Sequence, residues 1–215
     1  MHSHLDATGH PLSSRLFLPV HPHIGENVIP SLSQSAVALI LVFFTIPLFP
    51  MDSHARSGSP WVHELRLGVL HHDTDNMWSG FSRESGIDVN AELVLSPSYE
   101  LWHGQVRPNL GLSVNTEGDT SKVYAGGVWE YLWRSGFLLD LGAGLAVHDG
   151  EIDDPAALDR KQLGARVLLR FSLELGYALS EHSRIYLMTD HISNGYTIDP
   201  NEGMDTLGIR YGYLF

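Results

Sequence analysis

Residues 137–148 read FLLDLGAGLAVH, and residues 165–177 read ARVLLRFSLELGY. In the first stretch Phe137, Leu139, Leu141, Ala143, Leu145 and Val147 alternate with Leu138, Asp140, Gly142, Gly144, Ala146 and His148. In the second, Val167, Leu169, Phe171, Leu173 and Leu175 alternate with Arg166, Leu168, Arg170, Ser172, Glu174 and Gly176. A period of two is that of a β-strand, whose successive side chains leave opposite faces. One face here is continuously apolar, while the other carries Arg and Glu, which a soluble core rarely accepts. The pattern predicts strands whose greasy face meets lipid and whose polar face lines a closed lumen.

Working outward, the same alternation recurs in eight segments: 61–70, 86–97, 104–115, 122–134, 136–148, 162–178, 183–194 and 204–215. Several reach the ~9–11 residues that a tilted strand needs to cross a bilayer, where globular strands average ~5–6. The connections alternate too. Residues 134–136 and 178–182 are tight, whereas 71–85, 148–160 and 195–203 are longer and rich in Asp, Asn, Gly and Glu, the contrast between periplasmic turns and external loops. Trp129, Tyr131 and Trp133 close one strand and Tyr211, Tyr213 and Phe215 another, at ends predicted to share the periplasmic side, as an aromatic girdle does. The expectation is an all-β, eight-stranded antiparallel outer-membrane β-barrel over residues 56–215, a single domain.

Residues 1–55 read differently. Ala36 to Phe49 is an apolar run, too short for a helical span of ~20 residues and interrupted by Pro47, but suited to the h-region of a signal peptide. Ser53-His54-Ala55 offers small residues where a signal peptidase reads, so cleavage is expected after Ala55. The stretch before Ser35 has Arg15 as its only Lys or Arg, which suits an overlong start better than a basic n-region. A net charge of −12 with only two lysines, Lys122 and Lys161, argues against a nucleic-acid partner. No cysteine is present to staple the fold.

The candidate chemistry sits near the C-terminus, in the stretch TDHISNGYTIDPNEGMDTLGIRYGYLF from Thr189. His191 and Ser193 are two apart on one strand, so they leave the same face as neighbours. Asp205 opens the antiparallel partner strand with the same outward parity. A neutral imidazole can take the proton of a serine hydroxyl attacking an ester, and a carboxylate on its other nitrogen fixes the tautomer. With both termini periplasmic, strand 7 climbs outward and strand 8 descends. All three residues are therefore expected on the lipid-facing wall at its external end.

The sequence His191-Ile192-Ser193-Asn194, followed by Asn201-Glu202-Gly203-Met204-Asp205 and an aromatic-ended strand, resembles the C-terminal signature of the PagL-type lipid A 3-O-deacylases. The motif covers about residues 189–215, and the architecture the whole mature chain. The resemblance implies Ser193 as nucleophile, His191 as general base and then acid, and Asp205 in the position of the family's acid. Asn201 matches a residue of the oxyanion hole, with Asn194 and the backbone N–H groups after it as co-donors. It implies lipid A, within lipopolysaccharide in the external leaflet of the outer membrane, as substrate and partner; a homodimer is compatible with it. No metal or organic cofactor is required by a serine route. The chain departs from the family in carrying Asp where PagL carries Glu.

Other features point less sharply. His71-His72-Asp73-Thr74-Asp75 resembles a metal cluster only loosely and is expected to be solvated; the acidic loop 151–159 offers carboxylates for divalent cations that bridge lipopolysaccharide phosphates, but a solvated charged loop is the expectation there too. Arg66, Arg166, Arg170, Arg210, Glu64, Glu92, Glu130 and Glu174 share lumen parity and are expected to pair inside, where eight strands leave no pore. Two alternatives compete with the enzyme: a non-catalytic structural or adhesion barrel, and a soluble lipocalin-like binder, which needs an apolar interior and a polar exterior.

Overall fold

The computed structural model describes residues 61–215, and every regular element among them is a strand. These are β1 (Val62–His71), β2 (Ile87–Leu95), β3 (Tyr99–Leu101), β4 (Gly104–Asn115), β5 (Lys122–Leu132), β6 (Phe137–His148), β7 (Val167–Ala178), β8 (Ser183–Ser193) and β9 (Met204–Leu214). Neighbours pair antiparallel throughout, and β1 pairs with both β2 and β9, so the sheet closes on itself. Nine elements make eight walls because β2 and β3 both pair with β4. They are one strand interrupted at Ser96-Pro97-Ser98, where proline has no N–H for the ladder. The expected leader, its apolar run and the bond after Ala55 lie outside the described residues.

The two faces separate as their residues dictate. Leu67, Val69, Phe137, Leu141, Leu173, Leu187 and Ile209 are exposed on the outer wall, while Glu64, Arg66, Glu92, Asp140, Arg170, Glu174 and Arg210 are buried inside. A lipocalin needs the reverse arrangement. Within the lumen Arg66 meets Glu64 at 2.8 Å, Asp140 at 2.7 Å and Glu174 at 3.1 Å. Arg210 reaches Glu92 at 3.2 Å, and Lys122 and Arg170 share Asp190 at 2.8 and 2.7 Å. Tyr186 and Tyr124 lie under the guanidinium groups of Arg66 and Arg170. Charge pairing and ring packing together fill the interior.

One lumen expectation fails. Arg166 is exposed, and its guanidinium donates to the carbonyls of His148 and Gly150. The reason is that β7 begins at Val167, not at 162, so Arg166 belongs to the preceding loop and has no wall to point through.

The tight turns lie at one end of the barrel with rings beside them: Trp129 stacks on Tyr131, Tyr131 meets Trp133 edge to face, and Tyr213 meets Phe215 in the same way. The long connections 72–86, 149–166 and 194–203 gather at the other end. Under them Tyr124, Ala146, Leu163, Leu168, Ile192 and Met204 form a small apolar cluster. This cluster seats the loop 149–166 in the barrel mouth, directly beneath the ends of β8 and β9.

Candidate active site

The antiparallel register of β8 and β9 sets His191 directly opposite Asp205. Directly paired side chains on one face of a sheet stand close together, and the imidazole Nδ1 donates to Asp205 Oδ1 at 2.7 Å. An ionised carboxylate only accepts, so the proton of the neutral ring sits on Nδ1 and Nε2 carries the free lone pair. Ser193, the last residue of β8, pairs with Leu169 of β7 and shares a cleft of about 530 Å³ with His191. No hydrogen bond joins its hydroxyl to His191 among the described residues. Bonds of this kind are commonly long until substrate is bound.

Gly203 makes room for the ring. A Cβ there would lie 2.9 Å from His191 Cε1, and its φ of +62° falls in the left-handed region. The spacing Asn201-Glu202-Gly203-Met204-Asp205 therefore has a steric cause in this chain.

Outward parity holds for all three residues and Ser193 is half-buried in the cleft, but the expectation that His191 and Asp205 face lipid fails. His191 is only 7% exposed and Asp205 1%, because the loop between β1 and β2 folds down over the outer wall. Trp78 stacks on the imidazole with centroids 4.5 Å apart and planes 14° from parallel. Ser79 donates both its backbone N–H and its hydroxyl to Asp205 Oδ2, at 2.6 and 2.7 Å. Thr74 N–H donates to the Asp205 carbonyl at 2.8 Å. Sequence reasoning missed all three loop residues, since a loop has no periodicity to reveal its contacts; an isolated Trp in a polar loop was the one available signal.

What holds this loop in place is the run expected to be solvated. His72 and Asp73 are fully buried. His72 donates from Nδ1 to Asp88 at 2.7 Å and from Nε2 to Glu84 at 3.0 Å. Burial works against the charged ring, but these two carboxylates overcome it and raise its pKa to about 9. Burial likewise works against ionised Glu84, yet the bonds from His72, Lys161 N–H and both donors of Thr120 hold it down at about 2. Asp73 Oδ2 accepts the N–H groups of Arg83 and Glu84 at 2.6 and 3.0 Å. Lys161 donates to the Phe81 carbonyl and lies 3.6 Å from the centroid of its ring. Among the described residues no group of three or more His, Asp or Glu is placed to hold a metal ion.

The two asparagines divide. Asn201 lines the cleft, and its Oδ1 accepts the Asn194 N–H at 2.9 Å, while among the described residues its NH2 group makes no hydrogen bond. Asn194 does not line the cleft: its side-chain amide donates to the carbonyls of Leu163, Ile198 and Pro200, at 2.8 to 3.1 Å. With both N–H sources committed, it anchors the loop and is not free to meet an oxyanion. Glu202 lies at the cleft rim, where it accepts from Gln162 N–H at 2.7 Å and from Arg83 at 2.9 Å. The apolar wall beside Ser193 is Leu169 and Phe171 of β7 with Trp78 and Phe81.

A family model described as lipid A 3-O-deacylase (PagL) matches residues 53–214. Among solved structures, the crystal structure of the outer membrane enzyme PagL aligns with a TM-score of 0.52 at 15% identity, covering 71% of this chain and 99% of that one. Neisserial surface protein A aligns with a TM-score of 0.43 at 11% identity, over 73% of this chain and 98% of that one. The Yersinia pestis outer membrane protein Ail gives 0.41 at 10% identity, over 71% and 99%. No curated protein sequence matches the chain.

Proposed function

The chain belongs to the lipid A 3-O-deacylase (PagL) family of outer-membrane barrels, and from that premise we propose that it is a serine esterase that removes the 3-O-linked acyl chain of lipid A at the external leaflet. The observation that carries this reading is the His191–Asp205 bond, which engages Nδ1 and so turns the lone pair of the neutral ring to Nε2, in a cleft that also holds Ser193. Ser193 Oγ attacks the ester carbonyl while His191 Nε2 takes the hydroxyl proton, and Asp205 stabilises the imidazolium that forms. The tetrahedral oxyanion accepts from the NH2 of Asn201 and from backbone N–H groups after Asn194. Collapse expels the sugar 3-hydroxyl, protonated by His191. Water activated by the same imidazole then cleaves the acyl-enzyme and releases a 3-hydroxy fatty acid.

The acyl chain lies against Leu169, Phe171 and Trp78, at the boundary between the apolar wall and the loops. The ester then sits at headgroup depth, beside the loops at the external end.

Mass spectrometry of lipid A from cells expressing the parent and Ser193→Ala tests the reading. The parent is expected to convert lipid A to a species lighter by one 3-hydroxyacyl group, and Ser193→Ala to leave it intact while still migrating as a heat-modifiable barrel. Unaltered lipid A in cells carrying the folded parent would return the chain to the non-catalytic class of small barrels.

A further inference from the structure

We propose that Ser79 is a positioning residue of the catalytic site, acting through Asp205 and supplied by the loop between β1 and β2 rather than by the strands that carry the triad. Its role in turnover presupposes the serine esterase reading; its grip on Asp205 does not.

The carboxylate of Asp205 divides its two oxygens between two partners. Oδ1 accepts from His191, while Oδ2 takes the N–H and the hydroxyl of Ser79. The residue is 1% exposed, so water is not at hand to replace a lost donor, and a buried charge with an unmet lone pair is costly. With three donors on two oxygens the carboxylate plane has one orientation, and that orientation aligns Oδ1 with Nδ1–H. Bonds of neutral donors to an ionised acceptor are the stronger class. Geometry held by supporting hydrogen bonds is what keeps a reacting group in line.

The loop brings Ser79 to this place by contacts that Ser79 does not make. Thr74 N–H fixes the main chain of Asp205 from the same loop, and the His72, Asp73 and Glu84 cluster closes the loop at its base. Trp78, the residue before Ser79, covers the imidazole. One segment therefore touches both the acid and the base, from outside the wall.

The test compares Ser79→Ala and Ser79→Thr in the full barrel refolded into detergent micelles. Two readouts are taken: steady-state deacylation of lipid A, and the low-field proton resonance of His191 Nδ1–H, assigned by its loss in His191→Ala. Ser79→Ala is expected to lower kcat by about tenfold with KM within about twofold, as loss of one charge-assisted hydrogen bond implies, and to shift or broaden the Nδ1–H resonance. Ser79→Thr, which keeps the hydroxyl, should restore both. If Ser79→Ala fails to fold, Ser79→Cys, a near-isosteric weak donor, is read in its place with the same expected direction. An unchanged resonance overturns the proposal, whether or not kcat falls, because a loop that merely loosens would leave the His191–Asp205 bond as it was. If the folded parent does not deacylate lipid A, the esterase reading fails, while the resonance still decides whether Ser79 holds Asp205.

Discussion

At the scale of the residue, the question raised by the sequence was whether an aspartate reaches where the family carries glutamate. It does, because the register puts residues 191 and 205 face to face, and Oδ1 comes to 2.7 Å from Nδ1 without an extra methylene. Asp205→Glu must then fit one more carbon into a slot closed by His191 on one side and Ser79 on the other. Overpacking of this kind displaces the very oxygen that matters. The substitution is expected to lower deacylation, and Asp205→Ala to lower kcat by about 10³–10⁴, as removal of the orienting acid does in other triads. Initial rates on purified lipid A check both, and parental activity in Asp205→Ala would place the acid elsewhere. That His191 and Asp205 meet on one face was legible in the sequence, because period-two parity places strand neighbours together. Ser79 was not: it meets Asp205 across 126 positions of chain, and nothing local in either segment encodes that meeting.

At the scale of the element, the strands were legible and the loops were not. Alternation marks a wall because each residue's surroundings there depend on its parity alone. The stretch from His71 to Asp75 has the composition of a solvated loop, yet His72 and Asp73 are buried, because Glu84 and Asp88 receive the imidazole and the N–H groups of Arg83 and Glu84 receive the carboxylate, a fact of packing. That burial gives the loop a pH window. His72 has a folded pKa near 9 against 6.5 unfolded, so its contribution to stability, about 3 kcal/mol by linkage, is complete below about pH 6.5 and is lost as pH rises through about 9. Above that pH a neutral ring cannot donate to both Asp88 and Glu84, and the loop should loosen from the wall. Protease sensitivity within residues 72–86 is expected to rise between pH 8 and 10. In His72→Ala the loop should already be sensitive at pH 7, with deacylation reduced about tenfold or more. A cleavage pattern independent of pH would show that the loop is held by its other contacts. Trp78 offers a second measure on the same element. Trp78→Ala removes the ring that covers His191 and lines the cleft beside Ser193, and a rise in KM larger than the fall in kcat is the expected split if it contributes mainly uniform binding.

At the scale of the whole molecule, the barrel keeps its stability apart from its chemistry. The proposed triad and the loop over it lie on the outer side of the wall near one end, whereas the interior is packed with ion pairs. Arg66 is the centre of that packing: it is fully buried, meets Glu64, Asp140 and Glu174 within 3.1 Å, and lies over the ring of Tyr186. Replacing it by methionine keeps most of the volume but leaves three carboxylates facing one another without their shared cation. Breaking a buried pair by removing one partner costs about 3–5 kcal/mol, far more than removing the pair as a whole. Arg66→Met is therefore expected to lower the urea midpoint of unfolding in micelles, read by the shift between folded and unfolded bands on gels run without boiling. A compensating set, Arg66→Met with Glu64→Gln and Asp140→Asn, should recover much of the loss, because Glu174, the one carboxylate of the three left charged, still pairs with Arg210. Deacylation measured at low urea should be close to parental in both, since β8 and β9 keep the register that sets His191 opposite Asp205. If Arg66→Met unfolds no more readily than the parent, the lumen is held by its ring packing and hydrogen-bonded walls, and the ion pairs are there for another reason.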